Sequence, residues 1–212
     1  QAKRQKVADY MNECTTIVWK VRNDMVKSST SCTCSSCHGT FNADHTYFGA
    51  PYNHKASSLY RMKYSIDEEG YLKEFVEYAG AGDGFDMYMG NDCSTSILHA
   101  YWTVSNSCDF SRCQYMLPQM QYYPNVATGL ETGGAYPVGG YNCDFILPSN
   151  RYTESYWEYN TEQEMFEAYA SIRKGDAYVY MIPDVGGHTR MAAEDAVTVR
   201  DQNGLINPDK SY

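Results

Sequence analysis

The fold of this chain is decided by one segment, Gly90-Asn91-Asp92-Cys93-Ser94-Thr95-Ser96-Ile97-Leu98-His99-Ala100-Tyr101-Trp102. Its polar start can cap a helix. Apolar residues then recur at i, i+1, i+4 and i+5, which predicts a helix with one buried face. Cys93 would lie in the first helical turn, where unpaired N–H groups and the positive end of the helix dipole favour a thiolate over a thiol. The alternative interpretation is one more buried and inert cysteine.

Three further segments bear on the role of Cys93. Lys174–Ile182 is interpreted as a turn followed by a strand, and Gly186–Met191 as the start of a second strand that carries His188. Upstream, Tyr47–Tyr52 is interpreted as a turn that places an aromatic residue after a Gly/Pro pair. An imidazole titrates near neutral pH, so it can take the proton of a thiol and later protonate a leaving amine.

The order of these motifs resembles the NlpC/P60 family of cysteine peptidases. The motifs are G-A-P-Y at 49–52, D-C-S at 92–94, G-D at 175–176 and G-H at 187–188. The resemblance implies an α+β, papain-like fold, in which a helical lobe carrying the cysteine packs on an antiparallel sheet carrying the histidine. It also implies that no cofactor is needed.

The resemblance assigns a role to each matching residue. It implies that Cys93 is the nucleophile and that His188 is the general base and later the acid. Tyr52 matches a family tyrosine whose hydroxyl lines the site and can help hold the oxyanion or the substrate. A third residue normally orients the histidine, and Asp201 is our candidate. Glu194, or a strand beyond Tyr212 in a chain that continues further, are the alternatives.

Two features depart from the family pattern. Thr95-Ser96 replace the Gly and apolar residue that usually follow D-C-S. The separation between Cys93 and His188 is longer than usual, which predicts an insertion at about 105–160 that is rich in Tyr, Gly, Pro and Asn. We otherwise expect one domain over residues 1–212. Asp201-Gln202-Asn203-Gly204 is also a strong turn signal, so Asp201 can equally be a solvated turn residue.

Composition excludes several classes of protein. Hydrophobic residues make up 43% of the 212 residues and charged residues 20%, which are values of a globular protein. A formal net charge of −9 argues against nucleic acid or an anionic membrane surface as partner. The sequence contains no run of about 18 apolar residues, so it predicts no membrane span. The basic start Gln1–Lys6 precedes no apolar segment, so no signal peptide is visible.

Three of the eight cysteines form a cluster that needs a separate explanation from Cys93. Cys32, Cys34 and Cys37 stand beside His38, a spacing that could supply ligands to a structural zinc ion, although a second C-x-x-C half is missing. In an exported protein the same cysteines would instead form disulfides, with Cys14 among the available partners. Free thiols are the third alternative.

The function implied by the resemblance is a thiol hydrolase. It would cleave amide bonds in bacterial cell-wall peptides, that is, in the stem peptides of peptidoglycan. We expect such a protein to be secreted or associated with the cell wall, and to be a monomer. The alternative is a catalytically inactive wall- or glycan-binding module of the same fold.

Overall fold

The structure, a computed structural model, describes residues 1–27, 39–52, 59–72, 91–104, 160–182 and 186–212. The helices are α1 (Ala2–Thr16), α2 (Leu59–Ser65), α3 (Cys93–Trp102) and α4 (Glu162–Ala170). The strands are β1 (Val18–Trp19), β2 (Met25–Lys27), β3 (Gly39–Phe41), β4 (Tyr47–Phe48), β5 (Ala177–Ile182) and β6 (Gly186–Met191). They pair antiparallel as β1–β4, β2–β3 and β5–β6. The general α+β class is therefore confirmed.

The chain groups into two compact units. Unit A contains residues 1–11 and 93–212, and unit B contains residues 12–92. Helix α1 contributes residues to both units. The expectation of one domain stays a prediction, and the expected insertion at 105–160 lies outside the described residues apart from Asn160.

Unit B is built around aromatic rings. The indole of Trp19, 2% exposed, stacks on Tyr47 with ring centroids 4.7 Å apart. Phe41 meets both rings edge-on, at 5.0 Å from Trp19 and 4.9 Å from Tyr47. Val21, Met62 and Leu72 complete the buried cluster. The described strands of this unit are only two or three residues long, and Phe41 and Tyr47 from two of them pack on Trp19.

Gly49 lets the chain turn tightly at the end of β4. Its φ of +81° is unfavourable for other residues, and a Cβ there would lie 3.2 Å from the carbonyl oxygen of Thr15. The Gly49 carbonyl accepts a hydrogen bond from Trp19 Nε1 at 2.9 Å. The next N–H, of Ala50, bonds the carbonyl of Cys14 at 2.6 Å. The G-A-P-Y segment is thus fixed against the end of α1.

The C-terminal part of unit A follows its sequence signals closely. The sequence Thr161-Glu162-Gln163-Glu164 has the pattern of a capping box, and Thr161 and Glu164 form this reciprocal box at the start of α4. Met165, Ala168, Ile172 and Ala192 form the buried cluster on that helix. The β5–β6 hairpin follows, with Cα pairs from Ala177↔Met191 to Ile182↔Gly186. The two predicted strands around the G-D and G-H motifs are therefore confirmed.

Candidate active site

Cys93 is the first residue of helix α3, directly after Asp92. It is a half-buried thiol. The buried face of α3 consists of Ser94, Ile97, Leu98, Ala100 and Tyr101. This confirms the predicted helix and most of its apolar stripe, but Trp102 is 45% exposed. The thiol therefore lies at the N-terminal end of α3, where the helix dipole is positive.

His188 lies near the middle of β6, opposite Tyr180 of β5. Its side chain is half-buried, whereas the next residue, Thr189, is 4% exposed and faces the other side of the strand. Helix α3 packs against β6 within unit A. The structure therefore brings together the helix that begins at Cys93 and the strand that carries His188.

The turn at 174–176, just before β5, is where three elements of unit A meet. The hydroxyl of Tyr101 on α3 donates to the carbonyl of Gly175 at 3.0 Å, in a buried position. From α1, Arg4 Nη1 donates to Asp176 Oδ1 at 2.5 Å and to the Lys174 carbonyl at 3.0 Å. Both charged side chains are buried, with 9% of Arg4 and 1% of Asp176 exposed.

The same turn is tied to the end of the hairpin. Gly175 donates its N–H to the carbonyl of Ala192 at 2.9 Å, and Ala192 donates to the carbonyl of Asp176 at 2.8 Å. Asp176 precedes β5 and Ala192 follows β6, so these bonds close the open end of the hairpin. A buried charge pair with additional hydrogen bonds is the arrangement in which such a pair can be tolerated inside a protein.

Tyr52 is held in unit B by main-chain pairing. It forms an isolated parallel bridge with Asn91, whose N–H donates to the carbonyl of Pro51 at 3.0 Å. Asn91 is 6% exposed, and its Nδ2 lies 4.0 Å from the sulfur of Cys14. The pairing thus fixes the chain two residues before Cys93. The oxyanion role of the Tyr52 hydroxyl stays a prediction.

Asp201, the candidate third residue, makes the contacts of a turn. Its Oδ1 accepts from the N–H groups of Asn203 at 2.8 Å and Leu205 at 2.9 Å, and Gly204 follows with a φ of +81°. The side chain is exposed. The turn signal is therefore confirmed, and the catalytic role of Asp201 stays a prediction. Glu194 is likewise exposed.

Unit A also contains a cavity of about 400 Å³, and Glu194 is one of the residues that line it. It is bounded by helix α4, residues 192–198 and residues 206–212. Neither Cys93 nor His188 lines it. The arrangement of α3 against β6, and not this cavity, is therefore the basis for assigning the site.

The suggested zinc ligands Cys32, Cys34, Cys37 and His38 lie outside the described residues. Among the residues that are described, no group of three His, Cys, Asp or Glu side chains is arranged to hold a metal ion. Within the same part of the chain, no helix is long and apolar enough to cross a membrane.

Sequence reasoning missed the residues that hold the 174–176 turn. Arg4 and Val7 are both buried and stand three positions apart on α1, so they share a helix face. That spacing was the available signal, but an arginine beside an apolar residue more often marks the edge of a solvated face. The partner of Arg4, Asp176, is distant in sequence and could not be identified from local patterns.

None of the protein-family models, curated proteins or solved structures that were compared with this chain matches it. The resemblance to the NlpC/P60 family therefore depends on the four short motifs alone.

Proposed function

We propose that this chain is a thiol hydrolase that cleaves amide bonds, with Cys93 as nucleophile and His188 as general base and acid. The observation that carries the proposal is the packing of α3, which begins at Cys93, against β6, which carries His188. A thiol at a helix start and an imidazole on a contacting strand are the two groups that a papain-like mechanism requires.

The proposed reaction has two steps. His188 takes the proton of Cys93, and the thiolate attacks the carbonyl carbon of the amide. A C–S bond forms, the C–N bond breaks, and the amine leaves with the proton from His188. Water then attacks the thioester, with its proton passing to His188, and the acid is released as the thiol is restored. The positive end of the α3 helix dipole would stabilise the oxyanion of each intermediate.

The substrate class that we propose is the stem peptide of bacterial peptidoglycan, which places the protein outside the cell or at the cell wall. This assignment depends on the NlpC/P60 resemblance. The net charge of −9 is compatible with peptides that carry free amino groups. Under this proposal Asp201 orients the imidazole from the segment that follows the hairpin.

The experiment that tests the proposal is mass spectrometry of peptidoglycan fragments incubated with the wild-type chain, Cys93→Ala and His188→Ala. We expect new stem-peptide products from the wild type alone. Cys14→Ala is the matched control, because it removes a different thiol, and it should retain activity. Products from Cys93→Ala would contradict the proposed nucleophile.

A second variant series separates the two roles of Asp201. Asp201→Asn keeps an oxygen that can accept the N–H groups of Asn203 and Leu205, but it removes the charge. If Asp201 orients His188, this variant should lower kcat by about tenfold or more while leaving thermal stability nearly unchanged. An unchanged kcat would show that Asp201 stabilises its turn and does not orient His188.

The alternative function, an inactive wall-binding module, is favoured by one observation. The carboxylate of Asp201 is already engaged by two main-chain N–H groups of its own turn. Such a module would sediment with purified cell walls, equally well as wild type and as Cys93→Ala, and would release no product. That combination of results would replace the hydrolase proposal.

A further inference from the structure

We infer that Tyr101 is a positioning residue of the thiol site. Through its hydrogen bond to the 174–176 turn, the hydroxyl fixes helix α3 relative to the hairpin that carries His188. The inference rests on the proposed function, since it concerns how that function's nucleophile and base are held in register.

Tyr101 links the helix of Cys93 to the turn that precedes the His188 hairpin. It lies on the helix that begins at Cys93 and is 1% exposed. Its hydroxyl donates to Gly175, whose own N–H bonds the carbonyl of Ala192 at the end of β6. Gly175, which accepts the hydrogen bond of Tyr101, is therefore itself part of the main-chain bonds that close the His188 hairpin.

The 174–176 turn is also held by contacts that do not involve Tyr101. Arg4 bonds Asp176 and the Lys174 carbonyl from the other side, and Asp176 Oδ2 also accepts from the N–H of Arg173 at 3.0 Å. Gly175 has a φ of +85°, and a Cβ there would lie 3.3 Å from the carbonyl of Arg4. Because the turn is fixed on that side, loss of the Tyr101 bond would remove one restraint on α3, which still packs against β6, and would leave the turn in place.

A change in the position of α3 would also move Cys93. Tyr101 lies about two helical turns from Cys93, or about 12 Å along the helix axis. A small rotation or slide of α3 therefore changes where the thiol lies relative to β6. The thiolate and imidazolium stabilise each other only within hydrogen-bonding distance, so a shift of about 1 Å is enough to weaken the pair.

The test compares Tyr101→Phe with the wild type by the rate at which iodoacetamide alkylates Cys93 between pH 5 and pH 9. Peptide mass spectrometry assigns the label to Cys93. We expect the rate profile of Tyr101→Phe to move to higher pH, toward that of an ordinary thiol, with a rate at pH 6 about tenfold lower. Tyr60→Phe is the matched control, because Tyr60 is 76% exposed on α2, and it should not move the profile.

Thermal unfolding of each variant accompanies the rates, and alkylation is measured well below every unfolding midpoint. A lower unfolding temperature with an unchanged pH profile would mean that the hydroxyl only stabilises the fold, and it would overturn the inference. A wild-type profile that is ordinary, and that His188→Ala does not change, would instead overturn the proposed function. The two failures are therefore distinguishable.

Discussion

Cys14 and Cys93 carry the same side chain at opposite ends of two helices. Cys14 lies in the last turn of α1 and is 8% exposed, so the negative end of the helix dipole and burial both oppose a thiolate there. Cys93 begins α3, so the helix dipole favours a thiolate there. Cys93 is also only half-buried, so burial opposes the thiolate less than at Cys14. The comparison shows that helix position and burial, and not residue type, distinguish a structural thiol from a candidate nucleophile.

The surroundings of the two cysteines differ as well. Unit B, which contains Cys14, is held by the stacked rings of Trp19 and Tyr47. Unit A, which contains Cys93, has the buried Arg4–Asp176 pair at the turn just before its hairpin. Apolar packing tolerates small adjustments, whereas a buried charge pair is costly to break. We therefore expect distant substitutions to change the alkylation rate of Cys93 more than that of Cys14.

The largest expected difference between the two thiols is chemical. At pH 6 we expect iodoacetamide to label Cys93 about 10³-fold faster than Cys14, because the thiolate fraction and the exposure both favour Cys93. His188→Ala should remove most of the advantage of Cys93 if the proposed thiolate–imidazolium pair forms. Label distribution, measured by peptide mass spectrometry against time, gives both rates in one sample. Equal rates would show that the two helix ends do not differ in the predicted way.

The next effect concerns the stability of unit A. Arg4→Ala removes the positive charge beside the buried Asp176 carboxylate and should lower the free energy of unfolding by about 3 kcal/mol. Arg200→Ala is the control, because its pair with Glu167 is solvent-exposed, with 45% and 41% of the side chains accessible, and it should cost clearly less. Urea titration measures both. Equal losses would mean that burial does not distinguish the two pairs.

A smaller effect is expected at Cys14 itself. Cys14→Ser places a hydroxyl in a site that is 8% exposed, where it must find a hydrogen bond to offset its desolvation. We expect a loss of about 1 kcal/mol in the free energy of unfolding. Cys93→Ser, at a half-buried position, should cost clearly less by the same urea titration. The reverse order would contradict the assignment of Cys14 as the structural thiol.

The smallest effect is the response of unit B to acid. The N–H of Tyr71, followed by the Arg22 guanidinium, lowers the pKa of Asp67. The carboxylate therefore stabilises the fold above its unfolded-state pKa, and this contribution is lost as the pH falls through the lower folded-state pKa. Asp67→Asn keeps an acceptor for the N–H but not the charge.

The wild type should thus unfold at a slightly higher temperature than Asp67→Asn at pH 6, and the gap should close as the pH falls below about 4. Thermal melts of both proteins across this pH range measure it. A gap that does not depend on pH would show that the charge of Asp67 contributes nothing to stability.

Local signals in the sequence predicted the elements that carry the candidate site. The capping box at Thr161 and the polar start before Cys93 are patterns within a single helical turn, and each begins a helix in the structure. The strands around Gly175-Asp176 and His188 followed from turn residues beside alternating side chains. Such features depend on neighbours in the chain, so they can be recognised without the fold.

Predictions that depended on spacing alone were less successful. Leu72, Phe75 and Val76 stand at helical spacing and favour a helix over Asp67–Tyr78, of which the structure describes only residues 67–72. There Asp67–Gly70 is a turn, because the Asp67 carboxylate accepts two N–H groups and Gly70 has a φ of +90°. The segment Ala196–Arg200 likewise favours a third strand by its sequence. The structure has only scattered main-chain bonds there, including a pair between Val197 and Tyr212. In both cases side-chain capping or distant pairing outweighed local pattern.

The register of the β5–β6 hairpin limits how this chain can change in length. His188 and Arg190 project from one face of β6, and the buried Thr189 projects from the other. Inserting one residue into the strand ahead of His188 would exchange the faces of His188 and Thr189. Inserting two would return His188 to its own face, displaced by about 7 Å along the strand. Even and odd length changes in this hairpin are therefore different kinds of event, since only the even ones keep the imidazole on its side of the sheet.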